Sequence, residues 1–210
     1  MAINDKNKLL DRLESAKYVV IELGCGMRKR HAEAIGIDAL DYPCVDIVGD
    51  IYEVLTQFPS GSVDEVYSHH FVEHVDSVSR LLGELARVVK VGGVVEFVAP
   101  HFSNPYFYSD PTHRSFFGLY TFSYFSINSP LRRKVPTYQE KLWFQLDQVD
   151  LRFKSSRQFF IRYAFKRLIG SVFNSCGYMK ELYEENFCHL FPCYEIRYKL
   201  SRIDIQEKGK

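Results

Sequence analysis

A four-residue apolar run, Tyr18 to Ile21, leads through Glu22 into Gly24-Cys25-Gly26, and a second short apolar run ends at Asp38 in AIGID. The first run is short and largely β-branched, the pattern of a strand buried on both faces at the centre of a parallel sheet. Glycine accepts positive φ and carries no side chain. The two glycines therefore let the chain turn tightly beneath a ligand and bring its N–H groups close. Glu22 and Asp38, at the ends of successive strands, each offer two acceptor oxygens to ligand hydroxyls or an amine. Such a backbone suits a nucleoside.

A dinucleotide site needs a third glycine opening a helix, so that pyrophosphate sits on the helix N-terminus. Here Met27, Arg28, Lys29 and Arg30 follow instead. An acid two residues before the first glycine also repels phosphate and favours the amine of a cationic amino-acid moiety. With this turn the chain resembles the class I S-adenosylmethionine-dependent methyltransferases, whose first motif is acid-x-Gly-x-Gly. Asp38 matches the family's second acid, which holds the ribose, and Asp50 in VDIVGDI, followed by Ile51, matches the third, near the adenine. SVDEVYSHHFVEHV is similar to the strand-four block of the small type 11 enzymes, with Asp64 opening the strand and His69 and His70 just past its end. RLLGELARVVKVGG and VVEFVAP are similar to the following helix and fifth strand, so the resemblance runs from Tyr18 to about Pro100.

The resemblance implies S-adenosylmethionine as cofactor, with contacts at Glu22, Gly24, Cys25, Gly26, Asp38, Asp50, Ile51 and His69. It implies an α/β, Rossmann-like, seven-stranded methyltransferase sheet, mostly parallel with the last strand antiparallel and helices on both faces. Only nine residues separate Gly26 from Gly36, and a complete βαβ connection takes at least about ten to twelve. The first crossover helix is therefore predicted to be truncated. GCGMRK running almost directly into GID is similar to the short methyltransferases of bacterial polysaccharide and glycolipid gene clusters, which implies a sugar or glycolipid precursor as acceptor.

The chain has 210 residues, a size that suits one domain, with 1–100 as cofactor-binding half and 101–210 as acceptor-binding half. A net charge of +1 creates no global field for nucleic acid, and none is expected as partner. Five cysteines without C-x-x-C spacing, and an amino end without an apolar signal core, predict reduced thiols in the cytoplasm. Periodicity predicts a helix over Asn7 to Ser15, strands near 18–23, 35–38, 45–48, 63–68 and 93–98, and a helix from Ser77 to Lys90 ended by Gly92-Gly93. Beyond Pro100, where roughly three quarters of the aromatic residues lie, WFQLDQVDLRF and CYEIRYKLSRI read as the antiparallel sixth and seventh strands. A helical insertion over about 155–190 is expected between them.

Methyl transfer from a sulfonium is an in-line displacement, so the protein mainly positions the acceptor and, for a hydroxyl, removes its proton. A base contributes about 10²–10⁴-fold. Five of the seven histidines, His69, His70, His74, His101 and His113, fall between strand four and the segment after strand five. The resemblance places SDPTHRSFF on the acceptor side, making His113 or His101 the candidate base, Asp110 its orienter and His70 a further catalytic candidate. The alternative is that Asp110 and Thr112 form a turn and cap around Pro111 and that His113 merely packs. His70 to His74 also spell H-x-x-E-H, which on a helix is a zinc-peptidase pattern. The histidines with Asp110 could instead hold a metal that organises acceptor hydroxyls, though no metal ligand is assigned.

Residues 151–180 hold seven basic residues, no acidic one and many aromatics. Arg157, Arg162, Lys166 and Arg167 alternate with Phe159, Phe160, Tyr163, Leu168 and Ile169 as on an amphipathic helix. Three readings stand: peripheral contact with the inner face of a membrane, a clamp for an acceptor's anionic group, or a solvated basic face. The acceptor is expected to be a small molecule or a lipid-linked saccharide. Two other functions remain open, an inactive methyltransferase-like adaptor and an RNA methyltransferase.

Overall fold

The computed structural model describes residues 2–137, 141–155 and 157–207; Ser156, within the basic aromatic segment, lies outside the described residues. The strands are β1 (Asn4–Asp5), β2 (Val20–Leu23), β3 (Ile35–Asp38), β4 (Ile47–Val48), β5 (Val63–His69), β6 (Val89–Pro100), β7 (Lys141–Arg152) and β8 (Glu195–Glu207). They form one sheet in the order β1-β4-β3-β2-β5-β6-β8-β7. β2 to β6 run parallel, and β8 is antiparallel to both β6 and β7. The expected seven strands are thus eight among the described residues, because Asn4 and Asp5 pair antiparallel with Val48 and Ile47 at the edge. β7 runs with the central strands, so of the seven expected strands only the last is reversed.

Strand order turns back at β2: the chain winds outward through β3 and β4, then restarts on the other side with β5 and β6. A crevice at the carboxyl ends of the strands is the expected ligand position of such a sheet. Ile21 and Leu23 of β2 are wholly buried between β3 and β5.

Among the described residues the α-helices are α1 (Ile51–Thr56), α2 (Val78–Val88), α3 (Phe160–Phe173) and α4 (Gly177–Asn186). No helix lies between Gly26 and Ile35, in line with the predicted truncation. The amino-terminal helix is only a 3-10 segment, Leu10–Ser15. α2 begins where Ser77 Oγ accepts the Arg80 N–H, and it buries Leu81, Leu82, Leu85, Ala86 and Val88. It stops two residues short of Lys90, because Val89 is drawn into the ladder opposite Val63. Lys90 then bonds Asp64 at 2.7 Å instead of capping the helix.

α3 and α4 form the expected insertion between β7 and β8. Ile169 and Phe173 are the buried residues of α3, whereas Phe160, Ile161 and Leu168 are 73, 84 and 62 % exposed. No helix among the described residues is long and apolar enough to cross a membrane. At the outer edge of β7, Ile127 N–H donates to Phe144, Leu146 N–H donates to Asn128, and the Asn174 side chain bonds both backbone groups of Leu151.

Candidate active site

A cleft of about 240 Å³ opens at the reversal of strand order, lined by Gly24, Asp38, Asp50, Ile51, Tyr52 and Phe71 among others. Gly24 (φ +64) and Gly26 (φ +58) make the turn after β2. Asp38 ends β3 and accepts the N–H groups of Gly26 and Leu40 at 2.8 and 2.9 Å, which fixes its carboxylate beside the turn. Asp50 is the N-cap of α1, its Oδ1 accepting from Tyr52 and Glu53. Capping and cleft lining therefore coincide in one residue, and the six-residue α1 is an element that periodicity alone did not predict.

Gly24 could not carry a side chain here, since a Cβ would stand 2.5 Å from the Phe71 side chain. Gly24→Ala is expected to cost at least about 1–2 kcal/mol from left-handed backbone alone, plus displacement of Phe71 into the cleft. Urea unfolding and cofactor titration of the variant measure both effects.

Glu22 has a different role from the one expected. It is buried, and its carboxylate accepts the backbone N–H groups of Arg30 and His31 at 2.9–3.0 Å. With no crossover helix to satisfy these amides, the strand-end acid does so, and both its oxygens are taken by the chain itself. It borders a separate recess of about 20 Å³, with Arg30, His31, Tyr67, Ser68 and His69. His31 stacks on Tyr67 with ring centroids 3.5 Å apart. Ser68 Oγ and His69 Nδ1 are buried without partners. Burial, with help from the neighbouring His70 cation, lowers His69 to about 3, so its ring is neutral. Cys25 faces Val45 and Val48 in a small core, and burial followed by Asp38 pushes its thiol up to about 12. Of the eight expected cofactor contacts, Gly24, Asp38, Asp50 and Ile51 line the main cleft; Glu22, Cys25, Gly26 and His69 do not.

A second chamber, also about 240 Å³, adjoins the cleft through His74 and is lined by His70, Glu73, Pro100, Asp110, His113 and Tyr194 among others. The SDPTHRS loop is docked there by its backbone, Arg114 N–H donating to the Glu73 carbonyl at 2.8 Å. Arg114 and Asp76 pair at the cleft. His113 Nδ1 lies 2.9 Å from the Phe107 carbonyl, which can only accept. Nδ1 therefore carries the hydrogen and Nε2 the lone pair. Thr112 Oγ1 gives its hydrogen to Asp110 Oδ1 at 2.6 Å and so accepts from His74 Nδ1 at 2.9 Å. The lone pair of His74 is likewise on Nε2.

Three catalytic expectations change. Asp110 does not orient His113: Oδ2 stands 3.7 Å from Nε2, beyond hydrogen-bond reach. Its turn with Thr112 is the one weighed as an alternative, and the Thr112 hydroxyl and backbone N–H, both donating to Asp110 Oδ1, hold its carboxyl below the usual range. His101 cannot be the base, because its ring is 0 % exposed and both nitrogens are engaged. Nδ1 accepts from Ser103, and Nε2 reaches Glu184 at 3.1 Å. His70 sits at φ 55 between two wholly buried carboxylates, Nδ1 3.3 Å from Glu73 and Nε2 3.1 Å from Glu195. Burial opposes its charge, but these bonds outweigh it and raise the ring to about 9, leaving a cation rather than a base. Lys154 and Arg152 also contact Glu195, and its carboxyl is lowered although burial opposes that. The H-x-x-E-H string forms a 3-10 turn over Val72–His74, not the helix a zinc peptidase needs.

Residues 6–97 match the family model described as methyltransferase domain. The matched stretch is less than half of the chain. The match stops inside β6, so the insertion and β7–β8 lie outside it. Among solved structures, the chain is similar to one from a complex containing the Haloferax volcanii Trm112 methyltransferase activator, at 12 % identity over 92 % of this chain and 88 % of that one, with a TM-score of 0.50. That likeness is one of fold. An S-adenosylmethionine-dependent methyltransferase from Archaeoglobus fulgidus is similar at 16 % identity over 92 % of this chain and 93 % of that one, TM-score 0.49. One from Mesorhizobium loti is similar at 15 % over 95 % and 98 %, TM-score 0.48. No curated protein matches the chain.

The residues at the cleft fit S-adenosylmethionine, the cofactor that the sequence resemblance implies. Asp38 and Asp50 bring carboxylates to the main cleft for hydroxyls and amines, while the unpartnered Ser68 Oγ and His69 Nδ1 lie beside Arg30 in the recess past the glycine turn. Sequence reasoning missed Tyr52, Phe71 and Glu195, and met Glu73 and Arg114 only within the H-x-x-E-H and SDPTHRSFF strings. Phe71 and Glu73 carried one usable signal, their place in a polar string directly off a buried strand; Glu195 carried none.

Proposed function

We propose that the chain transfers the methyl group of S-adenosylmethionine to a hydroxyl oxygen of a sugar or glycolipid precursor. One observation carries this reading: a polar chamber bearing two outward imidazole lone pairs adjoins the cofactor cleft and shares His74 with it. The sulfonium supplies an activated methyl group. The protein's part is to hold an acceptor oxygen in line and let it lose its proton at the wall made by Glu73, His74 and His113. Positioning of this kind contributes about 7–11 kcal/mol to such reactions.

The surroundings support a lipid-linked acceptor. The chamber shares Asn104, Tyr106 and Tyr194 with a recess of about 180 Å³ that also holds Lys154, Arg162 and Lys166. Arg162 in turn borders the exposed Phe159, Phe160 and Ile161 of α3. A saccharide in the chamber, an anionic linkage at the cations and an apolar tail along α3 at a membrane surface would follow this order.

The test is methyl-labelled S-adenosylmethionine offered with lipid-linked, nucleotide-linked and free sugars, and with RNA. Label is expected in an O-methyl sugar, and His113→Ala is expected to lower kcat about 10²–10⁴-fold with cofactor binding intact. Cofactor binding without transfer to any saccharide, or label in RNA alone, removes the proposal.

A further inference from the structure

We infer that Glu73, His74 and His113 form a binding site for a divalent metal ion of the zinc class, set in the wall of the acceptor chamber. One donor atom from each of the three lies within 4.8 Å of the other two. The hydrogen bonds described above settle the direction of these donors. His113 is tied through Nδ1 to a carbonyl and His74 through Nδ1 to a hydroxyl, so each ring keeps its Nε2 lone pair for a ligand. Metal-bound histidines are ordinarily held in this way by an acceptor on the other ring nitrogen.

Glu73 supplies an independent observation. It is 0 % exposed, its Oε1 faces the His70 ring at 3.3 Å, and its Oε2 is buried without any hydrogen-bond partner. A buried carboxylate oxygen left bare is costly unless something positive meets it. Two imidazoles and one carboxylate make a donor set of the catalytic zinc type, with coordination left open for a substrate oxygen. Ligands about 2.0–2.2 Å from zinc stand about 3–4 Å apart, so side-chain rotation closes the site.

A neighbouring group, His69, His70 and Glu195, also brings donor atoms together. It is the weaker claim, since both nitrogens of His70 already bond carboxylates and Lys154 and Arg152 contact Glu195.

This inference rests on the chamber's being the acceptor site. With the ion bound, its ligands no longer act as bases: an acceptor hydroxyl on the ion becomes more acidic and gives its proton to solvent water instead. Its oxygen then bonds the methyl carbon as the carbon–sulfur bond breaks and the electron pair returns to sulfur.

Chelator-stripped full-length protein titrated with Co²⁺ and Zn²⁺ tests it by visible absorption and calorimetry. One ion per chain is expected, with zinc displacing cobalt and raising Tm. Glu73→Gln, His74→Ala and His113→Ala should each weaken binding at least about 100-fold, and Thr112→Val, which frees His74, about 10–100-fold. His189→Ala, an exposed histidine elsewhere, should bind as wild type. Thermal melts without metal identify variants that fail to fold, and Thr112→Val carries the test if they do. Wild type binding no more tightly than the His74→Ala/His113→Ala double variant overturns the site. The two readings fail separately: metal binding without sugar methylation sinks the acceptor assignment, and chelator-resistant methylation without cobalt bands sinks the metal.

Discussion

His70→Leu is expected to destabilise the metal-free fold by about 3–5 kcal/mol, the cost of removing one partner from a buried ion pair. The reason lies in Glu73 and Glu195, both with wholly buried side chains. Glu195 would keep Lys154 and Arg152, but Glu73 would lose the one side-chain bond described for it. Leucine adopts the left-handed backbone less readily than histidine, so at φ 55 a small strain cost adds to the loss of charge. Urea unfolding with chelator present measures the loss, and a change under about 1 kcal/mol, the range of an exposed pair, would show that His70 is not a buried cation.

The same cluster gives stability a pH dependence, and the sign follows from each shift. His70 is raised to about 9, so its contribution is complete below about 6.5 and lost as pH rises through 9. His69 is lowered to about 3, so protons taken up only by the unfolded chain weaken the fold as pH falls from about 6.5 toward 3. The groups facing them are Glu73, Glu195, Arg30 and Lys154. Stability should therefore peak near neutrality and fall on both sides. In His70→Leu the alkaline limb should flatten, whereas a limb that remains would assign it elsewhere.

Asp38→Asn is the variant expected to damage cofactor binding most. The carboxylate is held by Gly26 and Leu40 N–H groups and lines the cleft. Its charge strengthens every hydrogen bond it accepts, and a bond to a charged group is worth about 1.5–3 kcal/mol. Loss of one such bond corresponds to roughly 10–150-fold weaker binding. An amide must also present its NH2 group to the N–H of Gly26 or to that of Leu40, and neither placement restores the original set. Calorimetry with S-adenosylmethionine and its demethylated product measures the change; wild-type affinity would remove Asp38 from the site.

What could be read in the sequence was the part encoded locally. The strand-turn-strand from Tyr18 to Asp38 is specified by neighbours along the chain, and the short link after Gly26 predicted a truncated helix where the structure has none. The strand-end acids were harder, because an acid at a strand end serves a ligand and a backbone amide equally well. Asp50 caps α1 while lining the cleft, and Glu22 closes the short loop. The histidines were harder still. His101 follows a strand end just as a catalytic residue would, yet its ring turns inward to Glu184, 83 residues away. The His70 charge depends on Glu195, 125 residues away, and no local pattern carries that.

The coverings of the two outermost strands have a consequence for behaviour at high concentration. A bare strand edge is a template on which other chains can add. β4 is covered by the two-residue β1, and the far edge of β7 is occupied at Phe144, Leu146 and Leu151 by residues 127–128 and the Asn174 side chain. The sheet thus offers little open backbone to a second molecule, and what association occurs should run through side chains, with the apolar face of α3 the first place to look.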